Sequence, residues 1–286
     1  MIRRPPRSTL SSSSAASDVY KRQSYDSDIH QQLTFLAAKQ YSKCAEVRPG
    51  LYRPSALDVR YLVRANVAQA DAGFFSRMFR WNYYSPDPQD QKDVLWVIET
   101  RFQAHYRSLL RQIELGDKAE DRLKAVGRVI SYLQDVTSPP RVVPVFTGRW
   151  WRFSFSDRFD RFPVDADAID ERLVDSCGLL ELDPVDFESL LSATANTTIS
   201  AIREKIAGYP VTWEAFWSFG RQVGEFGEYG IAGNQFGKRS SFRCADKERC
   251  LLLEDDPLYQ EFALQRHLEA VQATMKALLI MQNYFE

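Results

Sequence analysis

Apolar residues recur at helical spacing along most of this chain. In the range 29–44, for example, Leu33, Ala37 and Tyr41 fall on one face of a helix. The same spacing predicts further helices over 54–70, 74–84, 91–115, 118–135, 166–177, 183–207, 212–219 and 257–284. We find no run with the strict alternation that is typical of a strand. The pattern therefore predicts an all-α protein.

Helix-ending residues divide this pattern. Gly116 closes one predicted helix, and the proline pair beginning at Pro139 stops the next. The range 142–165 is irregular and rich in aromatic residues and arginine, and 220–246 reads as a glycine-rich loop. Because no repeat or linker interrupts the chain after residue 23, we expect one multi-helix domain over 24–286.

Residues 1–23 do not read as part of the fold. The range 13–23 back-translates to a transposon end used in sequencing libraries, and 1–9 back-translates to a flow-cell adapter. We therefore expect an artefactual, disordered tail and exclude it from the fold. Native sequence is expected to begin near Ser24, with any export signal lost upstream.

Composition narrows the functional classes. The chain has 37 basic and 38 acidic residues, so there is no strong nucleic-acid signal. No window has the roughly 18 consecutive apolar residues of a membrane span. An even number of cysteines permits two disulfides in three pairings, and four reduced cysteines are the alternative. The cysteines are Cys44, Cys177, Cys244 and Cys250, of which the last two would close a small loop.

The most informative spacing lies at the end of the helix predicted over 118–135. Ser131 and Asp135 are four residues apart and share one helix face, and a proline turn then returns the chain to Arg141. This spacing resembles zinc-dependent phospholipase C and the related single-strand nucleases. In that superfamily a helix carries His-x3-Asp, and a second histidine follows the aspartate by six residues. Ser131 and Arg141 stand where the two histidines would be.

Other points match the same scaffold in order along the chain. Tyr25-x4-His30 resembles the zinc-binding N-terminus of the nucleases, and Asp71 precedes a run that resembles the family's His-Phe-Tyr-Asp-Pro turn. A register shift of one residue in that turn would put Tyr83 in the histidine's place. The run 156–160 resembles the closing His-x3-Asp/Glu. The resemblance implies retained ligand positions at His30, Asp71, Asp135 and Asp160, and replaced ones at Asn82, Ser131, Arg141 and Ser156.

The resemblance thus implies a zinc-assisted phosphodiester hydrolase, with Asp71 as a ligand or general base. Most imidazole ligands are replaced, so we expect a catalytically impaired binding or accessory protein. Arg141 is expected to pair with Asp135 or Asp160 and fill the metal volume. No cofactor is then expected. Zinc is expected only if the family's metal site survives in this chain. His105 and His267 are expected to be surface or packed side chains.

Two alternatives remain open. Oxygen donors at the replaced positions suit a hard cation, so an active hydrolase using Ca²⁺ or Mg²⁺ is the first. In the second, Trp150 and Trp151, within a basic aromatic run, contact a phospholipid head group or membrane surface. These aromatics would otherwise pack a cleft wall. The resemblance also favours a periplasmic or secreted protein.

Overall fold

A computed structural model describes most of the chain. It covers residues 27–71, 83–85, 102–143, 145, 148–149, 152–153, 157–174, 176–181, 186–221, 227–246 and 248–285. This part is mostly helical, which confirms the helical class in its coarse form. The α-helices are α1 (Ser27–Val47), α2 (Ala56–Ala70), α3 (Phe102–Leu115), α4 (Ala119–Asp135), α5 (Pro139–Val142), α6 (Ala166–Arg172), α7 (Phe187–Arg203) and α8 (Pro257–Gln282).

Short strands and 3₁₀ turns connect these helices. Three antiparallel pairs join consecutive strands. The strands are β1 (Gly148–Arg149), β2 (Arg152–Phe153), β3 (Trp217–Ser218), β4 (Glu228–Tyr229), β5 (Ser240–Arg243) and β6 (Arg249–Leu252). The 3₁₀ turns are Phe159–Arg161, Ser176–Glu181 and Trp213–Ala215.

Local sequence explains where several helices begin. Ser55 and Asp58 form a reciprocal capping box at the start of α2. The Asp186 side chain accepts a hydrogen bond from the Ser189 N–H at the start of α7. Asp256 caps α8 in the same way, with Pro257 in the first turn. These contacts satisfy backbone donors that the first turn of a helix leaves unpaired.

Helix α4 is the centre of the helical core. It packs against α2, α3 and α8, and nearly all of its second half is buried. Gly127 allows the close approach of α2, since a Cβ there would lie 2.4 Å from the Leu62 carbonyl oxygen. The side chains of 129–136 therefore project into the protein interior on every side. Polar residues in this stretch must find partners there.

A second, aromatic core joins the Phe159–Arg161 turn, the β3–β4 pair and α8. Phe159 packs edge-on against Trp217 and Phe236, with ring centroids 5.9 and 5.2 Å apart. Trp213 lies 4.3 Å from Phe262 of α8 by the same measure. This cluster fixes the 157–161 segment against the rest of the fold.

Both disulfides are formed. Cys44 of α1 is bonded to Cys177, and Cys244 to Cys250 across the end of the β5–β6 hairpin. Of the three pairings that the sequence left open, this is the one formed, and the alternative of four reduced cysteines was wrong. Such bonds are compatible with an extracellular or periplasmic compartment. Among the described helices, none is long and apolar enough to cross a membrane.

The sequence prediction was wrong at 212–219 and 220–246. The first range is a 3₁₀ turn followed by β3, and the second contains β4 and β5. Each strand has two to four residues, too few for alternation to stand out from the pattern. Tyr83 and Tyr84, at the end of the helix predicted over 74–84, are not helical. The rest of that range and the start of 91–115 lie outside the described residues.

Candidate functional site

The site predicted from sequence is built around the C-terminal end of α4. Ser131 and Asp135 are both buried on this helix, as their spacing requires. The Ser138 N–H donates to the Asp135 carbonyl, and α5 follows at once. Arg141 on α5 is only 9% exposed. Its carbonyl accepts a hydrogen bond of 2.8 Å from the Tyr84 N–H, which holds the 83–85 segment beside the site.

One part of the site is a network of polar side chains around Gln134. The Gln134 Oε1 atom accepts from His30 Nδ1 at 2.6 Å and from Asn66 Nδ2 at 3.0 Å. Its Nε2 atom donates to Thr34 Oγ1 at 3.0 Å and Thr274 Oγ1 at 3.2 Å. All five side chains are buried. We call this set the amide network.

The amide network orients the His30 ring. Because Gln134 Nε2 is the amide donor to the two threonines, Oε1 faces His30, and Nδ1 carries the hydrogen. The other ring nitrogen, Nε2, lies 3.4 Å from Asp135 Oδ1. His30 is thus the one predicted histidine ligand, and it does lie next to Asp135.

A second part of the site holds charges. Arg141 Nη2 lies 4.0 Å from Asp160 Oδ2, and the Ser138 hydroxyl donates to Asp160 Oδ1 at 2.6 Å. Burial raises the pKa of Asp160 to about 6, against the lowering effect of the Arg141 guanidinium. The expected proximity of Arg141 to Asp160 is therefore observed. We call Ser138, Arg141, Asp157 and Asp160 the charged pocket.

Asp157 was missed by sequence reasoning. Its carboxylate accepts from the Trp217 indole at 2.9 Å, the Tyr229 hydroxyl at 2.8 Å and the Phe159 N–H at 2.8 Å. Burial raises its pKa, while these donors and Arg141 oppose the shift. Burial, and after it the neighbouring Asp157 carboxylate, raises the pKa of Tyr229. Asp157 therefore anchors the 157–161 segment to the β3–β4 pair, and its place within the run 156–160 was the only sequence signal.

The remaining predicted positions are placed as follows. Asp71 is exposed at the C-terminal end of α2, where its N–H bonds to the Val67 carbonyl. Within the described residues, no hydrogen bond or ion pair joins its side chain to His30, Asp135 or Asp160. The predicted positions Tyr25, Asn82, Ser156, Trp150 and Trp151 lie outside the described residues.

His105 and His267 are placed as expected. His267 is fully buried on α8, with its ring centroid 5.9 Å from that of Phe159. Burial lowers its pKa to about 3, because the charged imidazolium would lose its hydration. His105 is half-buried on α3.

The donor set does not fit the three-zinc arrangement that the resemblance implies. His30 is the only imidazole at the site, and the Arg141 guanidinium lies against Asp160 where a cation would bind. No group of three or more His, Cys, Asp or Glu side chains placed to hold a metal ion occurs in the described part of the chain. Zinc favours nitrogen and sulfur ligands, which are scarce here.

A cleft opens next to the charged pocket. Its volume is about 1010 Å³, and Asp157 forms part of its wall. Its lining includes the basic residues Arg158, Arg161 and Lys238 and the acidic residues Asp165 and Asp167. The cleft therefore offers both donors and acceptors to a ligand.

The sequence matches no protein-family model, and neither the curated proteins nor the solved structures contain a match to it.

Proposed function

We propose that this protein is a degenerate member of the zinc-dependent phospholipase C and single-strand nuclease superfamily, and that it binds a ligand without cleaving it. In this proposal the helices follow that superfamily's arrangement, and Arg141 replaces the cations of its active site. The observation that carries the proposal is the contact between Arg141 and Asp160, 4.0 Å apart in a buried pocket.

Electrostatics supports this role for Arg141. Carboxylates buried together are unfavourable when charged, unless a cation balances them. Burial raises the pKa of both Asp157 and Asp160, and Arg141 opposes that shift, so the guanidinium favours their ionised forms. A divalent ion at the same place would meet a fixed positive charge. The pocket is thus balanced by the chain's own side chain.

Metal analysis of the purified full chain, after zinc loading and gel filtration, tests the proposal. We expect less than one zinc per chain and no detectable hydrolysis of an activated phosphodiester. The double variant Ser131→His/Arg141→His restores two of the four replaced imidazoles and is expected to gain bound zinc. Two or more tightly held zinc ions in the unmodified chain would contradict the proposal.

A single-cation site at His30 and Asp135 is the second candidate. His30 Nε2 and Asp135 Oδ1 are 3.4 Å apart, close to the separation of about 3.3 Å between two ligands of one tetrahedral zinc. Gln134 accepts a hydrogen bond from the other ring nitrogen, and metal-bound histidines are commonly oriented by such a partner. One zinc per chain that is lost in His30→Gln would favour this candidate over the first.

The hard-cation alternative rests on oxygen donors. The Ser131 hydroxyl is buried and has no hydrogen-bond partner among the described residues, and it shares a helix face with Asp135. Calcium or magnesium at this place would raise the melting temperature in proportion to its affinity. Titration of either ion with no change in melting temperature removes this alternative.

We also propose that the chain is exported. The two disulfides support this, since such bonds persist in oxidising compartments. Mass spectrometry of the alkylated protein, isolated from its source without reduction, tests the proposal. Four free thiols would count against export.

A further inference from the structure

The β5–β6 hairpin has one firmly anchored face. Ser240 and Phe242 of β5, and Cys250 and Leu252 of β6, are buried. The Tyr259 hydroxyl of α8 donates to Ser240 Oγ at 3.1 Å. The Cys244–Cys250 disulfide closes the far end of the hairpin. The backbone of this hairpin is therefore held in place before any partner binds.

The opposite face points away from the core and carries basic and apolar side chains. Arg243 and Arg249 are paired directly across the two strands, and Ser241 is paired with Leu251. The next alternate positions are occupied by Arg239 and Leu253. All six side chains are exposed. We call Arg239, Ser241, Arg243, Arg249, Leu251 and Leu253 the arginine face.

The arginine face carries three positive charges, and the turn between β5 and β6 carries two exposed acidic residues, Asp246 and Glu248. Like charges directly opposite on paired strands destabilise a hairpin. Within the described residues, no ion pair joins Arg239, Arg243 or Arg249 to a carboxylate. Arg249 Nη2 instead donates to Ser241 Oγ at 3.3 Å. The nearby Glu254 is paired with Lys238.

The apolar members of the face distinguish among anionic partners. Leu251 is 40% exposed and Leu253 is 54% exposed, next to the arginine pair. Single-stranded nucleic acids favour aromatic side chains that stack on bases, and none stands at these six positions. Leucine beside arginine instead suits a membrane interface, where apolar side chains enter the acyl boundary and guanidinium groups meet lipid phosphates.

We propose that the arginine face docks on an anionic phospholipid surface, with Arg243 and Arg249 binding lipid phosphates and Leu251 and Leu253 entering the interface. This inference does not depend on the proposed function, because it uses residues outside the candidate site. Each arginine near such a surface strengthens binding, and the attraction is screened by salt.

Co-sedimentation of the full chain with vesicles tests this docking. We expect binding to phosphatidylcholine vesicles containing phosphatidylglycerol, and little binding to phosphatidylcholine alone. Arg243→Glu/Arg249→Glu is expected to lower the partition coefficient by about tenfold or more. The matched control is Arg60→Glu/Arg64→Glu, which reverses two exposed arginines on α2 and is expected to bind like the unmodified chain. Circular dichroism on both variants checks that they fold.

A second variant tests the leucines. Leu251→Ala/Leu253→Ala is expected to weaken vesicle binding with the salt dependence retained. The proposal is overturned if the unmodified chain ignores the anionic vesicles, or if the two charge-reversal pairs weaken binding equally. Binding of a labelled single-stranded oligonucleotide through Arg243 and Arg249, with no vesicle binding, would also overturn it and assign the face to nucleic acid.

Discussion

The amide network and the charged pocket both adjoin the C-terminal end of α4. They stabilise their buried polar groups in different ways. Gln134 and Asp135 are adjacent in sequence, but Gln134 is surrounded by hydrogen-bond partners and Asp135 lies near the charges of the pocket. In the amide network, Gln134 accepts two hydrogen bonds at Oε1 and donates two from Nε2. The pocket holds several carboxylates near one guanidinium. The stability contributed by the amide network should therefore depend on hydrogen-bond geometry. The stability contributed by the charged pocket should depend on charge balance and pH.

Removing Arg141 should give the largest effect. Arg141→Met leaves Asp157 and Asp160 buried without their cation, so we expect a loss of about 3–5 kcal/mol in the free energy of unfolding at pH 7. The loss should shrink below pH 6, as Asp160 takes up a proton. Urea unfolding at several pH values measures it. Arg158→Met, at an exposed neighbour, is the control and should change little. A loss below about 1 kcal/mol at pH 7 would mean that Arg141 does not balance the pocket.

Breaking the amide network should cost slightly less. Gln134→Met keeps the volume but removes the partner of four buried polar groups, so we expect a loss of about 3 kcal/mol. Unlike the loss at Arg141, this one should not change as Asp160 titrates. Gln112→Met, at an exposed position of α3, serves as the matched control. Equal stability of the two variants would show that the network contributes nothing.

Two buried groups should change the free energy of unfolding in opposite directions as the pH changes. The pKa of Asp160 is raised from 3.8 to about 6, so its contribution is full below pH 4 and is lost as the pH rises through 6. The pKa of His267 is lowered from 6.5 to about 3, so its contribution is present above 6.5 and is lost as the pH falls toward 3. Between pH 4 and 6 each slope is about 1.4 kcal/mol per pH unit, with opposite signs.

Substitutions separate these slopes. Asp160→Asn should make stability fall more steeply on acidification from pH 6 to 4 than in the unmodified chain. His267→Leu should make stability rise over the same interval. Denaturant unfolding at half-unit pH steps gives both slopes. Parallel curves for all three proteins would contradict the assignments at Asp160 and His267.

Ser131 at the boundary of the two regions should show the smallest effect. Its hydroxyl is buried without a partner among the described residues, so Ser131→Ala should be neutral or stabilise by up to about 1 kcal/mol. Thermal unfolding with and without added Zn²⁺ and Ca²⁺ measures it. A clear destabilisation would indicate that the hydroxyl binds a bridging group. If a chelator abolishes the difference in stability between Ser131→Ala and the unmodified chain, that group is a metal ion.

Part of the site could be predicted because it is local. The four-residue spacing of Ser131 and Asp135 and the proline turn before Arg141 follow from helix geometry, and both are observed. Gln134, Asn66 and Asp157 were missed for the opposite reason. Their partners lie 60 to 140 positions away in sequence, as with Trp217 and Thr274. No periodic pattern indicates which glutamine or aspartate will face them.

The sequence by itself determined most of the described helices, because periodic apolar faces and capping residues act over a few neighbouring positions. It permitted the Cys244–Cys250 bond, and the structure decided the pairing among the three that were open. Only the tertiary structure decided that His30 is held by Gln134 and that Arg141 meets Asp160. It also decided that β5 and β6 turn their arginines outward. These outcomes depend on long-range packing, where burial and the identity of the neighbouring charge determine what each polar group does.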